Sequence, residues 1–310
     1  VRVVFCGTPQ FAVPSLQALL SAGHQVPLVL AQPDRPVGRK QVLNAPAVKL
    51  AALAADIPVT QPEKLRNNDA LQLQLQQINP DVIVVVAYGR IIPPWMLQLP
   101  RLGNVNVHGS LLPKYRGAAP IQWALANGET ETGVTTMLLD EGLDTGPMLG
   151  RRVLKVGPGE TAVEISPRLA KAGAELLLET LAGLEQGSIQ PAPQDNSQAT
   201  LAPILTRDDG HINVAHTAEK IFNRWRGFQP WPGAFANFRG DKLAITRMAR
   251  SDRNGRSRPG LLESDGDRLF LTCGDAAQVE LLEVQPAGRK AMSAAEFLRG
   301  SRLQPSERLS

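Results

Sequence analysis

Apolar runs broken by turn residues organise the first two thirds of this chain. Residues 1–6 (VRVVFC) form a short β-branched run that stops at Gly7-Thr8-Pro9, and FAVPSLQALLSAG (11–23) then carries its apolar positions at helical spacing up to Gly23. QVPLVLAQ (25–32) follows as the next strand. Strand, turn, helix and strand in that order predict a parallel α/β sheet. The alternation continues with helices near 46–55 and 68–77 and the strand DVIVVVA (81–87), whose unbroken apolar run suits a strand covered on both faces.

The segment NVNVHGSLLPKYRG (104–117) departs from this pattern. Asn104, Asn106 and His108 alternate with Val105 and Val107, and residues two apart in a strand share a face, so one face of this strand is polar where a core strand would be apolar. Beyond it, 118–127 predicts a helix, GVTTMLLD (133–140) a strand, and EGLDTG (141–146) a turn-rich loop. A long helical stretch spans 160–186, with Pro167 as an irregularity near its start. From 187 the composition shifts to Ser, Gln, Pro, Asn and Ala without periodicity, as in a linker. Short strand-like pieces follow, among them KLAITRMA (242–249), DRLFLTC (267–273) and AQVELLEVQ (277–285), separated by Gly, Asp and Pro turns. They predict a small β-rich second domain of barrel type. The organisation expected is a domain over 1–187, a linker over 188–203 and a second domain over 204–310.

At 310 residues the chain has room for two such cores. No apolar run approaches the ~20 residues of a membrane-spanning helix, and the first residues lack the regions of a signal peptide, so the expectation is a soluble cytoplasmic protein. Cys6 and Cys273 are too few and too far apart for a disulfide framework, and four histidines without paired spacing give no reason to expect a metal. Cys6, in the middle of a strand, is expected as a small buried hydrophobe.

Charge becomes informative when divided. The first 206 residues hold 16 Lys+Arg and 16 Asp+Glu, which leaves 17 and 13 of the totals of 33 and 29 for residues 207–310. The basic surplus lies in the last third. Such an asymmetry fits either a polyanionic partner or ordinary solvated charge.

Ligands of open α/β sheets bind beyond the carboxyl ends of the strands, which is where Asn106 and His108 stand. An amide donates N–H groups and an imidazole exchanges a proton near neutral pH, a pairing suited to an attacked carbonyl. A carboxylate partner is available in the DEGLDTG loop as Asp140, Glu141 or Asp144. Ser110 lacks a nucleophile elbow, so the nucleophile is expected from a substrate. GTPQFA lacks the second and third glycines of a dinucleotide fingerprint, which disfavours a nicotinamide enzyme.

These residues match a known pattern. NVHGSLLPKYRGAAPIQ with DEGLDTG downstream closely resembles the 10-formyltetrahydrofolate-dependent formyltransferases, and FCGTPQFAVPSL, AQPDRPVGRK, VVVAYGRIIP and RGFQPWPGAF resemble the branch of that superfamily acting on charged initiator tRNA. The resemblance implies a Rossmann-like N-terminal domain joined to an OB-like barrel. It implies Asn106, His108 and Asp144 as the catalytic residues and Ser110, Leu111, Leu112 and Pro113 as the folate-contacting segment, with the 88–92 region and the 140–144 loop enclosing the pterin. The implied formyl donor is 10-formyltetrahydrofolate, the acceptor is methionyl initiator tRNA, and no metal is needed.

The same resemblance makes 34–49 an inserted loop that meets the tRNA acceptor stem, with Arg39 and Lys40 as its contacts. This chain has GRKQVL where many relatives carry a further glycine and more lysine. Trp231, between Pro230 and Pro232, is expected to pack an interface, as aromatic-proline clusters more often do, rather than to receive tRNA. A monomer is expected. Siblings that formylate another amine share the same three residues, while a binding protein on a retired enzyme scaffold has no need of all three.

Overall fold

Alternate residues of the first strands are buried on opposite sides. The computed structural model describes residues 1–37, 42–255 and 258–310. Its elements begin with β1 (Arg2–Gly7), α1 (Val13–Ser21), β2 (Gln25–Leu30), a small hairpin of β3 (Arg35–Val37) and β4 (Val42–Asn44), α2 (Ala47–Leu53), β5 (Val59–Thr60), α3 (Asp69–Ile78), β6 (Val82–Val86) and α4 (Pro94–Leu97). They continue with β7 (Asn104–His108), α5 (Pro120–Ala126), β8 (Glu131–Leu138), β9 (Met148–Lys155) and α6 (Ala162–Glu185). The last third contains α7 (Ala218–Gly227), β10 (Phe235–Phe238), β11 (Asp241–Asn254), β12 (Leu262–Asp265), β13 (Arg268–Thr272), β14 (Ala277–Pro286), β15 (Met292–Ser293) and α8 (Ala294–Ser301).

The chain divides into two compact units. One comprises Val1–Pro120, Glu131–Leu154 and Ser166–Pro203, the other Ile121–Thr130, Lys155–Ile165 and Ile204–Ser310. The first is built on a seven-stranded sheet in the order β5-β2-β1-β6-β7-β8-β9. Val3 and Phe5 of β1 and Val82, Val84 and Val86 of β6 join a core with Leu16, Leu19, Val48, Leu177 and Leu181 from α1, α2 and α6. Val4, Cys6, Ile83 and Val85 point the other way, into a core with Leu71, Leu75 and Met96 from α3 and α4. Both sheet faces are thus covered, which is why these strands read as unbroken apolar runs. Cys6 is fully buried, as expected, and burial pushes its thiol pKa up.

β7 shows why its polar residues alternate. Val105 and Val107 enter the first core, and Asn104, Asn106 and His108 take the opposite face. β8 runs antiparallel to β7, with Val105 opposite Leu138 and His108 opposite Thr135, so the sheet is mixed rather than wholly parallel. α5, from Ile121 onward, groups with the second unit, and the chain re-enters beside the end of β7 it left. α6 runs unbroken through Pro167, whose missing N–H costs one bond near the helix start.

The second unit is an antiparallel sheet in the order β10-β11-β14-β13-β12, with β15 on β14. The C-terminal residues close it. Phe238 of β10 pairs with Leu309, and Leu261, next to β12, pairs with Arg308, so the tail lies between the two edge strands. A closed small barrel agrees with the β-rich domain expected from the sequence. α7 and α8 pack on its core through Ile221, Phe222, Trp225 and Phe297. Among the described residues, no helix is long and apolar enough to cross a membrane.

Candidate active site

Asn104 and Asn106 share a face, yet only one of them is committed to the scaffold. Asn104 donates through Nδ2 to the carbonyls of Met96 and Leu97 at 3.1 and 2.9 Å, tying down the end of α4. Asn106 lies one pleat nearer the carboxyl end, is 8% exposed, and its amide has no side-chain partner among the described residues. A nearly buried amide left in this way retains its donors for a ligand.

His108 is 6% exposed and lies between two acceptors. Its Nε2 is 2.9 Å from the carbonyl of Tyr115, and because a carbonyl only accepts, this bond puts a hydrogen on Nε2. Its Nδ1 faces Oδ2 of Asp144 at 3.7 Å, an ion-pair distance longer than a hydrogen bond. The turn that presents the Tyr115 carbonyl to the ring is closed by other bonds: Ser110 Oγ donates to Lys114 O at 2.6 Å, and Thr135 Oγ1 donates to Ser110 O and accepts from Leu112 N.

The three acidic candidates of the 140–146 loop separate clearly. Asp140 is consumed in shaping the loop, accepting from Gly142 N at 3.0 Å and Thr145 Oγ1 at 2.7 Å. Glu141 is exposed. Asp144 alone reaches His108, and the same Oδ2 accepts the Gly117 N–H at 2.9 Å. Its φ of 52° is left-handed, a conformation that aspartate adopts more readily than most residues. Since β8 is antiparallel, its own end lies at Val105, away from His108, and the loop has to turn back to bring Asp144 there. Gly146 permits that return, because a Cβ on it would lie 1.9 Å from the carbonyl oxygen of Leu138.

Ser110, Leu112 and Pro113 are buried and Leu111 is partly exposed. The 88–92 segment leaves β6 with Tyr88 buried and Ile91 86% exposed. It is tied to β1 and β2 by Thr8 Oγ1 and Gln32 Nε2, which both donate to Tyr88 O at 3.1 Å. Arg39 and Lys40 lie outside the described residues; at the base of their loop Lys49 holds Asp34 at 2.8 Å, and Gln61 donates to the same carboxylate at 2.7 Å. Those bonds, from Lys49 first, hold the Asp34 carboxyl below its usual range. Trp231 is 55% exposed, so it does not pack within the core of the second unit. Phe228 takes the buried place in that motif, edge-on to Trp123 at 5.2 Å between ring centroids.

Four residues beside the site were given no role from the sequence: Tyr115, Arg116 and Gly117 lie within the motif at 106–122, and Gln194 lies outside every motif. Tyr115 and Gly117 act through backbone atoms, and Arg116 and Gln194 meet only in the folded chain. Gln194 comes from the stretch expected as a linker, which runs against the first unit through Ala192 on Met148 and Leu201 on Arg116.

Comparison with known proteins gives one answer along the whole length. The formyl transferase model matches residues 1–181, and the formyl transferase C-terminal domain model matches residues 204–302. Proteins named methionyl-tRNA formyltransferase are 58% identical in Acidobacterium capsulatum, over 100% of this chain and 99% of that protein, and 54% identical in Koribacter versatilis, over 99% and 98%. The fold is shared with the N-formyltransferase of Helicobacter canadensis, solved with folinic acid and dTDP-3-aminofucose, at a TM-score of 0.68 and 18% identity, covering 92% of this chain and 99% of that one. With both of its parts matched in order and full-length relatives above half identity, the chain belongs to the formyl transferase family.

Proposed function

We propose that this enzyme transfers the formyl group of 10-formyltetrahydrofolate to the free α-amine of methionine esterified to initiator tRNA, the product serving translation initiation. The acceptor follows from the full-length relatives, whose names specify methionyl-tRNA. A folate-derived donor is supported by neighbours of the same fold solved with tetrahydrofolic acid or a formyl folate. The observation that carries the chemistry is the unpartnered Asn106 amide beside a His108 ring with Asp144 on its Nδ1 side.

The amine nitrogen attacks the formyl carbon, and the C=O electron pair moves onto oxygen. Asn106 Nδ2 and the Nδ1–H of protonated His108 donate to that oxyanion, while Nε2–H stays on Tyr115 O and keeps the ring in place. Asp144 balances the imidazolium and takes part in moving the proton lost by the amine to the folate nitrogen that leaves. The bond from carbon to folate nitrogen then breaks as the carbonyl re-forms. No covalent enzyme intermediate is involved. The 110–113 segment, with 88–92 and the 140–144 loop, is assigned to the folate, and Arg39, Lys40 and the basic surplus of 207–310 to tRNA phosphates.

The test is a transfer assay with 10-formyltetrahydrofolate and charged initiator tRNA, run beside charged elongator methionine tRNA, free methionine and a sugar amine nucleotide. Formylation of the initiator tRNA, with affinity falling steeply as salt rises, is the expected result. Formylation of a small amine alone retains the chemistry and removes the acceptor assignment.

A further inference from the structure

Segment 192–202 lies against the catalytic loops through side chains as well as backbone, and one glutamine joins the two loops. Gln194 Nε2 donates to Asp144 O at 2.8 Å and to Gly146 O at 2.7 Å. Its Oε1 accepts from Arg116 Nε and Nη2 at 3.0 and 2.8 Å. Every hydrogen-bonding position suited to this geometry is filled. Arg116 is itself buried and donates through Nη2 to Asn196 Oδ1 at 2.8 Å, and its backbone is paired on both sides, N to Thr200 O at 2.8 Å and O to Ala202 N at 2.7 Å. The residue before it supplies the carbonyl that holds His108 Nε2; the residue after it supplies the N–H that holds Asp144 Oδ2.

We infer that Gln194 is a positioning residue of the transfer reaction, setting the Asp144 carboxylate against His108 by fixing the carbonyls on either side of Thr145 to the Arg116 turn. Two facts make a specific brace necessary. Asp144 sits at φ 52°, a sparsely populated region even though aspartate enters it more readily than most residues, and the strand before it ends at the far side of β7, so the β-ladder does not fix where the loop returns. Gly117 fits the close approach of the segment: its φ is +123°, and a Cβ there would lie 2.6 Å from Ala202 O. A displacement of about 1 Å in a reacting group can cost on the order of 10²-fold in rate.

The inference rests on the assignment of His108 and Asp144 to the reaction, and its test keeps the two apart. Gln194→Glu keeps the length of the side chain and an acceptor for Arg116, so the segment stays anchored, but it replaces the N–H donors with oxygen facing two carbonyls. Gln194→Met keeps the approximate volume and removes all the bonds, and it is the variant read if the glutamate form does not fold. Turnover, KM for each substrate and melting temperature are measured for both, beside Asp144→Asn. The expected result is a roughly 10- to 100-fold lower kcat, KM within about threefold, and a melting temperature for Gln194→Glu lower by a few degrees, with the protein fully folded at the assay temperature. A folded Gln194 variant with kcat within about twofold of the parent overturns the inference when Asp144→Asn is inactive. A loss confined to KM overturns it as well, and an active Asp144→Asn removes both the inference and the mechanistic assignment beneath it.

Discussion

Oδ2 of Asp144 lies 2.9 Å from the Gly117 N–H and 3.7 Å from His108 Nδ1, so one carboxylate oxygen is held by the backbone while it faces the imidazole across a short gap. The distance matters because the ring nitrogen turned to Asp144 is not consumed by a tight pair, which in the proposed reaction leaves it open to the oxyanion.

Asp144→Asn is the direct test of that gap. The amide oxygen can still accept from Gly117, so the loop keeps its anchor, while the negative charge facing the ring is lost. We expect a folded protein with turnover lower by at least about 10²-fold, the range in which proton-transfer groups contribute, and with the loss falling on kcat more than on folate affinity measured by fluorescence titration. Turnover within a few-fold of the parent would exclude a role for the charge.

Asn106→Ala removes the one amide on the β7 face that the scaffold does not use. Loss of a single oxyanion donor costs on the order of 10²–10³ in kcat, and because the Asn106 amide holds no partner among the described residues the melting temperature should barely move. Asn104→Ala is the contrast. It releases the Met96 and Leu97 carbonyls and is expected to destabilise by about 1–3 kcal/mol, with kcat far less affected than in Asn106→Ala.

Trp231→Ala concerns an indole that is more than half exposed. Its removal is expected to change folding stability by less than about 1 kcal/mol in denaturant titration. If the exposed ring receives a base of the acceptor end, tRNA affinity falls by about 1–3 kcal/mol, the range for stacking on an aromatic side chain. Unchanged tRNA affinity together with a large stability loss would return this residue to packing.

Truncation after Ser306 tests how the barrel closes. It removes four backbone hydrogen bonds between the tail and the barrel, Leu262 N to Glu307 O, Leu309 N to Gly260 O, and the reciprocal pair between Asn237 and Ser310, together with the Glu307 carboxylate that accepts from Arg239 and the buried Leu309 side chain. At about 1 kcal/mol per bond and about 2 kcal/mol for the leucine, offset by the entropy of the freed tail, a drop of roughly 5–10 °C in melting temperature is expected by calorimetry. An unchanged melting temperature would show that the barrel is stable without its closing strand.

Much of the candidate site is legible in the sequence, and the reason is local. Residues two apart in a strand share a face whatever lies around them, so Asn106 and His108 had to stand together, and their polarity on a strand of this kind required an explanation. The choice among Asp140, Glu141 and Asp144 was not decidable from those residues alone. Resemblance to the family selected Asp144, and the physical ground for that selection appears only in the loop, where Asp140 is bonded to Gly142 and Thr145 while Asp144 is turned inward.

The sequence by itself determined what depends on spacing: the periodicity of β1, β6 and β7, the long helix, the β-rich last third and the asymmetry of charge. Tertiary structure alone decided what depends on distant segments meeting. The antiparallel course of β8 appears only in its register with β7, the closure of the barrel follows from where residues 307–310 lie, and the exposure of Trp231 from which aromatic of its motif takes the buried place. Gln194 is the sharpest case. In a stretch without periodicity nothing local distinguishes it from any other glutamine, because hydrogen bonds to Asp144, Gly146 and Arg116 are made across 48 to 78 residues of sequence, and only the folded chain sets those partners around one amide.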